Sequence, residues 1–318
     1  MRKLLTGLLS GLAIIAGGGA AAAADYPTRP ITVIVPYSPG GTDTLARTLA
    51  RDISENLGQP VVVETKPGAG GTIGGAFVAN ADPDGYTLLF AVSSVQTVAP
   101  HQRELPYGFD ALRAVARVAV GPNVMAARVG APFATLEEMV AYAKANPDKV
   151  SYGSAGTGGA THIAAEAVAR AAGIDLFHIP FKGVTPAVAS AVAGEVDLVL
   201  GFAAAILPQV EGGKLVALAQ LGATRAKLAP DLPTLIESGV DLALPANIGF
   251  WAPAGTPDEV VEAFSAAVRK AIEGQTMTDY AAQTLTELDY AGPAAFGEAL
   301  VAEDAFYKEL LSSIDFSQ

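Results

Sequence analysis

The 318 residues include no cysteine. Disulfides, thiolate nucleophiles and cysteine-ligated metal centres are therefore excluded. Histidine is nearly missing too: His101, His162 and His178 are the whole supply. They show neither the H-E-x-x-H pattern nor any paired spacing that would hold a metal. There is no G-x-S-x-G nucleophile elbow, and no Gly-Lys-Ser/Thr to place a lysine on a nucleotide phosphate. Charge is sparse at 16% of residues and lopsided, with 20 Lys and Arg against 32 Asp and Glu, a net charge of −12. Nucleic acid is excluded as a partner, because neutralising phosphates needs a basic face. Past residue 24 no run of about 18 apolar residues could cross a membrane as a helix.

What is present begins with a leader. Arg2 and Lys3 precede the apolar stretch "LLTGLLSGLAIIAGGG", and "AAAAA" supplies small residues before Asp25. This is the pattern of a secretory signal peptide over residues 1–24, which places the mature chain outside the cytoplasm. Losing Arg2 and Lys3 with the leader makes the remaining chain more acidic still.

Beyond the leader, short apolar strands alternate with helical patterns. "ITVIVP" runs into a helix from Thr42 to about Leu57, "PVVVET" into "KPGAGGTIGGAFVANA", and "YTLLFAVSS" follows. Near residue 153 "KVSYGSAGTGGATHIAAEAVARAAG" repeats the strand, glycine loop and helix order. The rhythm predicts two similar α/β domains with parallel-rich sheets. In open α/β sheets a ligand binds outside the carboxyl ends of the strands, where the glycine loops lie. "PNVMAARVG" and "PANIGFWAPAGTP" are the expected crossings, giving one domain over 25–124 plus 249–318 and a second over 125–248. After Pro257 the pattern reads as helical throughout.

The chemistry sits in the glycine loops. "GAGGTIGG" and "GSAGTGGATH" both miss the G-x-G-x-x-G fingerprint, because Ile73 and Thr161 stand where its third glycine belongs. A dinucleotide is therefore not expected, and no cofactor is implied. Each loop does open a helix, where unpaired amides and the helix dipole favour an anion. Thr42 and Gly41 in one loop, and Ser154, Thr157, Gly158 and Gly159 in the other, are uncharged donors suited to a carboxylate. Asp43 reads as a cap or loop brace. His101 reads as surface, His162 as structural and His178 as a satisfied buried histidine. Lys182, in "PFKGVTP", could reach a ligand carboxylate, but it reads as an exposed, solvated lysine. Phe250 and Trp251 read as core or hinge packing.

The segments "VPYSPGGTDTLAR", "KPGAGGTIGGAFVANADPDGYTLLF", "YGSAGTGGATHIAAE", "FHIPFKG", "GKLVALA" and "APAGTP" together resemble the Bug (TctC-type) solute receptors of tripartite tricarboxylate transporters. The resemblance covers essentially the whole mature chain. It implies a monomeric, hinge-closing periplasmic receptor with the two-domain arrangement of a type II periplasmic binding protein, which captures a small-molecule carboxylate in the cleft between domains and hands it to membrane permease subunits. It also implies that the two glycine loops hold the proximal carboxylate, with Tyr37, Gly41 and Thr42 on one side and Ser154, Thr157 and Gly158 on the other. With the neighbouring loop positions, the candidate ligand-binding set is Tyr37, Gly40, Gly41, Thr42, Gly70, Ser93, Ser94, Ser154, Thr157, Gly158, Gly159 and Asn247. Three departures stand out. The spacing from the glycine pair to Asp43 is one residue short, Asn247 stands where the family often has Trp, and Gly201 where it often has Asp. The last two imply an atypical ligand within the same mode of capture. The alternative is a secreted α/β hydrolase or transferase acting on a carboxylated substrate.

Overall fold

The computed structural model describes residues 26–312 except 122, 158, 245 and 285. The expected leader, its cleavage site at Asp25 and the candidate Gly158 lie outside the described residues.

The chain opens with β1 (Ile31–Val35), whose residues are almost all buried because both faces are covered. It empties through Pro36 and Gly40 into α1 (Gly41–Leu57). Leu45, Ala46, Leu49, Ala50 and Ile53 form the buried stripe of α1. Gly58, in the left-handed conformation (φ 68°), stops the helix by donating its N–H to Ser54 O. Then come β2 (Val61–Thr65), a 3-10 turn over Ala69–Gly71, α2 (Thr72–Ala79) and β3 (Thr87–Val92), followed by two single-turn helices, α3 (Ser94–Thr97) and α4 (Ala99–Gln102). β4 (Leu112–Gly121) ends the first stretch.

β5 (Asn123–Arg128) belongs to a second sheet. After it come α5 (Leu136–Ala145), β6 (Ser151–Ser154), α6 (Ala160–Ala172), β7 (Phe177–Pro180), α7 (Val184–Ala193), β8 (Leu198–Phe202), α8 (Ala203–Glu211) and β9 (Leu215–Gln220). β10 (Ala246–Pro253) rejoins the first sheet, and α9 (Asp258–Ile272), α10 (Gln275–Thr284), β11 (Glu287–Ala291) and α11 (Pro293–Leu311) complete the described chain.

The result is two α/β domains with mixed sheets. The first sheet runs β11-β4-β10-β3-β1-β2 and the second β7-β6-β8-β5-β9. The βαβ rhythm accounts for the parallel pairs, β1 with β2 and β3, and β6 with β7 and β8. The remaining pairs are antiparallel: β5 and β10, which follow the crossings, run against their neighbours, and the edge strand β11 runs against β4. β11 corrects the expectation of an all-helical end. Its sequence "ELDYA" is half polar and half-buried, an edge strand without the apolar run of a central one.

Apolar clusters cover both faces of each sheet. Phe90 and Phe250 meet at 4.6 Å between ring centres. Trp251 is buried and donates from Nε1 to Gln96 Oε1 at 2.7 Å, so both aromatics are core residues, as read. α11 spans more than one core. Phe296 and Leu300 pack with Trp251, whereas Leu310 and Leu311 belong to the same apolar cluster as Leu235 and Val240 of the second half.

Candidate functional site

The carboxyl ends of β1, β3 and β6 face a shared cleft of about 720 Å³, within the usual range of roughly 300–1,000 Å³ for small-ligand sites. Tyr37, Thr42, Gly70 and Ser94 line it from the first half, and Thr157 and Gly159 from the second. Loops read separately from the sequence thus come together on opposing walls. Gly41 lines an adjoining groove that shares Thr42, Val92 and Phe202 with the cleft.

On the first wall, no side chain caps α1: Gly40 precedes it with extended backbone. The helix-start amides are left to a ligand or to water. Asp43 is not the cap. It lies in the first turn of α1, buried and paired with Arg47 at 3.0 Å. Tyr37 accepts the Val92 N–H at 3.3 Å through its hydroxyl, and burial pushes its phenol up to about 12, so it stays neutral. Gly70 and Gly71 both have positive φ, 67° and 97°, which a side chain would strain.

The second wall is built from behind. Gly156 N–H donates to Ser154 Oγ at 3.1 Å, and Ser154 Oγ lies 2.6 Å from His178 Nε2. His178 stacks on His162 at 4.0 Å and on Tyr152 at 4.9 Å, and the Tyr152 hydroxyl donates to Glu166 at 2.6 Å. Burial lowers both imidazoles, His178 to about 4 with a further contribution from His162. Ser154 Oγ thus accepts the Gly156 N–H and shares a second hydrogen bond with the neutral His178 ring. Ser154 is completely buried, so this Ser–His pair braces the loop and cannot reach a substrate.

A pH dependence follows. A histidine whose folded pKa lies below its ordinary 6.5 leaves the unfolded chain holding more protons in the window between the two values. Stability is full above about 6.5 and declines as pH falls towards about 4. Melting temperatures at pH 7 and pH 4.5 should therefore differ less in His178→Gln than in the wild type.

Several candidates turn out to be structural. Ser93 donates its hydroxyl to Glu303 at 2.6 Å, Thr97 to the same carboxylate at 2.8 Å, and Asn247 from Nδ2 at 2.8 Å. Asn247 also takes a 3.3 Å bond from Arg117, and its carbonyl accepts the Ser93 N–H. The structure therefore corrects Ser154 and Asn247, whose side chains are committed to neighbours away from the cleft. Ser93 reaches only a small recess beside it. His101 is not simple surface, because it pairs with Asp304 of α11 at 2.7 Å.

Two cleft residues carried no sequence signal. Arg103 lines the mouth and donates to Ala69 O at 2.5 Å, so an arginine stands where neutral amides alone were expected. Lys182, the cation singled out from sequence, is not among the cleft-lining residues. Phe202, at the end of β8, is 41% exposed and lines the cleft, its groove and its recess. Among the described residues no cluster could hold a metal ion, and no helix is long and apolar enough to cross a membrane.

The chain matches the sequence profile of the TctC group, the tripartite tricarboxylate transporter family receptor, over residues 45–295. It belongs to this family. Protein BugT of Bordetella pertussis is 34% identical over 278 residues, 85% of each chain. A UPF0065 protein of the same organism is 36% identical over 272 residues, 85% of this chain and 84% of its own. A TctC solute binding protein from Polaromonas, solved without ligand, has a TM-score of 0.83 at 34% identity, covering 91% of this chain and 100% of the other. MatC from Rhodopseudomonas palustris with bound malate has a TM-score of 0.74 at 29% identity, covering 90% and 100%. An R. palustris protein with adipate has a TM-score of 0.74 at 28% identity, covering 91% and 98%. TctC proteins are periplasmic solute-binding receptors, not enzymes.

Proposed function

We propose that this TctC chain is exported to the periplasm, captures an organic carboxylate between its two halves, and delivers it to the permease subunits of a tripartite tricarboxylate transporter. The halves are taken as residues 25–124 with 249–318, and 125–248, closing about the two crossings. The observation that carries the reading is the convergence of two helix-opening glycine loops on one cleft. Thr42 and Gly70 stand opposite Thr157 and Gly159, with Arg103 at the mouth. Such a set supplies uncharged donors, two positive helix ends and one cation, and it holds no group placed to cleave or transfer anything. The malate and adipate in two related structures support the ligand class.

Calorimetry with mono-, di- and tricarboxylates, followed by analysis of the recovered ligand, tests the proposal. Saturable binding with the ligand returned unchanged is expected. Failure of every carboxylate to bind, or chemical turnover of the one that does, would overturn it.

A further inference from the structure

We propose that the ligand is a monocarboxylate with an unbranched apolar body, its one charged end at the loops and its hydrocarbon end in the recess beside the cleft. This rests on the carboxylate-receptor reading above and narrows it.

The recess, of about 60 Å³, shares Val92, Ser94, Val98, Ala160 and Phe202 with the cleft, so a single ligand can occupy both. Its deeper wall is Ile163, Ala164, Leu200, Leu221 and Leu244. No lysine, arginine or histidine is among the described residues that line it. The ionisable groups there are Glu303 and Tyr307, and both become negative when they ionise. Of the polar groups there, Ser93 donates to Glu303 and Thr161 accepts the Ala155 N–H at 2.8 Å, and Ser94, Asn123 and Tyr307 add uncharged groups only. A second carboxylate would therefore enter a mostly apolar space with no cation to receive it and with Glu303 alongside. Burying an unpaired charge is strongly unfavourable, whereas burying methylenes is favourable. The groove on the other side offers no alternative, since Glu287 is the charged residue lining it. Among the described residues, Arg103 is the one cation lining any of the three spaces, which matches one carboxylate. Size narrows the class further. An apolar cavity of about 150 Å³ takes up benzene, so a recess of 60 Å³ suits the end of an alkyl chain and not a whole ring.

The test compares hexanoate with adipate, which has the same carbon chain and one further carboxylate, and runs butanoate, pentanoate and hexanoate as a series. Hexanoate is expected to bind at least tenfold more tightly than adipate. Affinity should rise about fourfold per added methylene while the recess fills. In Ala164→Leu, whose added atoms occupy the recess, the series should flatten, with melting curves confirming that the variant is folded. Adipate binding as tightly as hexanoate, or a flat series in the wild type, would overturn the proposal. Adipate binding while the monocarboxylates do not would leave the receptor reading standing and remove this one. If no member of the panel bound, this proposal would fall, and the receptor reading would be decided by the wider set of di- and tricarboxylates.

Discussion

Thr157→Asp is expected to lower carboxylate affinity by more than about 100-fold, and Thr42→Asp to do the same from the opposite wall. Each substitution sets a fixed negative charge among the donors. Two like charges about 4 Å apart at an effective dielectric of about 20 repel by ~4 kcal/mol, well beyond the 100-fold mark. Thr157→Ala removes only a donor. A hydrogen bond to a charged group is worth roughly 1.5–3 kcal/mol, so its loss should be about 10–100-fold. Thr157 is exposed and Thr42 half-buried, and neither belongs to an apolar cluster, so all three variants should melt near the wild-type temperature. Calorimetry beside thermal melts checks this. Folded Asp variants that bind at wild-type strength would show that the loops are only turns.

The largest expected effect on stability comes from a residue that touches no ligand. At Gly249 in β10 an added Cβ would lie 2.4 Å from Ala116 O and 2.8 Å from Phe296 Cε1. The carbonyl belongs to the neighbouring strand β4 and cannot swing aside as a flexible side chain would. Gly249→Ala should therefore cost about 2–4 kcal/mol and lower the melting temperature by several degrees. Gly297 provides the contrast. It lies in the interior of α11 with only Ala114 Cβ near its added atom, at 4.0 Å. Gly297→Ala should be neutral or stabilising by up to about 1 kcal/mol, because alanine favours helix. Denaturant unfolding of the pair decides the matter, and equal stabilities would refute the packing account.

What can be read from residues alone follows from where the information lies along the chain. A buried strand ending in glycines and opening an amphipathic stripe is a local pattern, so the loops at Gly40–Thr42 and Ser154–Gly159 are legible. The helices after Pro257 are legible for the same reason. Arg103 is not, because it lies in a polar loop without periodicity, and only the turn over Ala69–Gly71 gives it a place. Ser93 and Ser94 look alike in sequence. Adjacent positions entering a helical turn point about 100° apart, so one is spent on Glu303 while the other faces the cleft. Asn247 and Ser154 mislead for a related reason. Their partners Glu303 and His178 lie 56 and 24 residues away, and nothing local announces them. Phe202 reads as one more apolar residue closing a core strand, and its exposure depends on what the second half of the molecule leaves uncovered.

α11 has a mechanical consequence for the two halves. The crossings near residues 121–123 and 244–246 are two tethers, and two tethers by themselves permit a swing about the line joining them. α11 is a third attachment, a 19-residue rod roughly 28 Å long, rooted at one end by Phe296 and Leu300 and at the other by Leu310 and Leu311. A rod anchored in two bodies that rotate must bend, twist or lift one end from its seat. If the halves close as proposed, α11 acts as a spring with a preferred angle, and the work of deflecting it is subtracted from the binding energy that drives the swing. The last turn of α11 would then help to set affinity at a cleft it does not line.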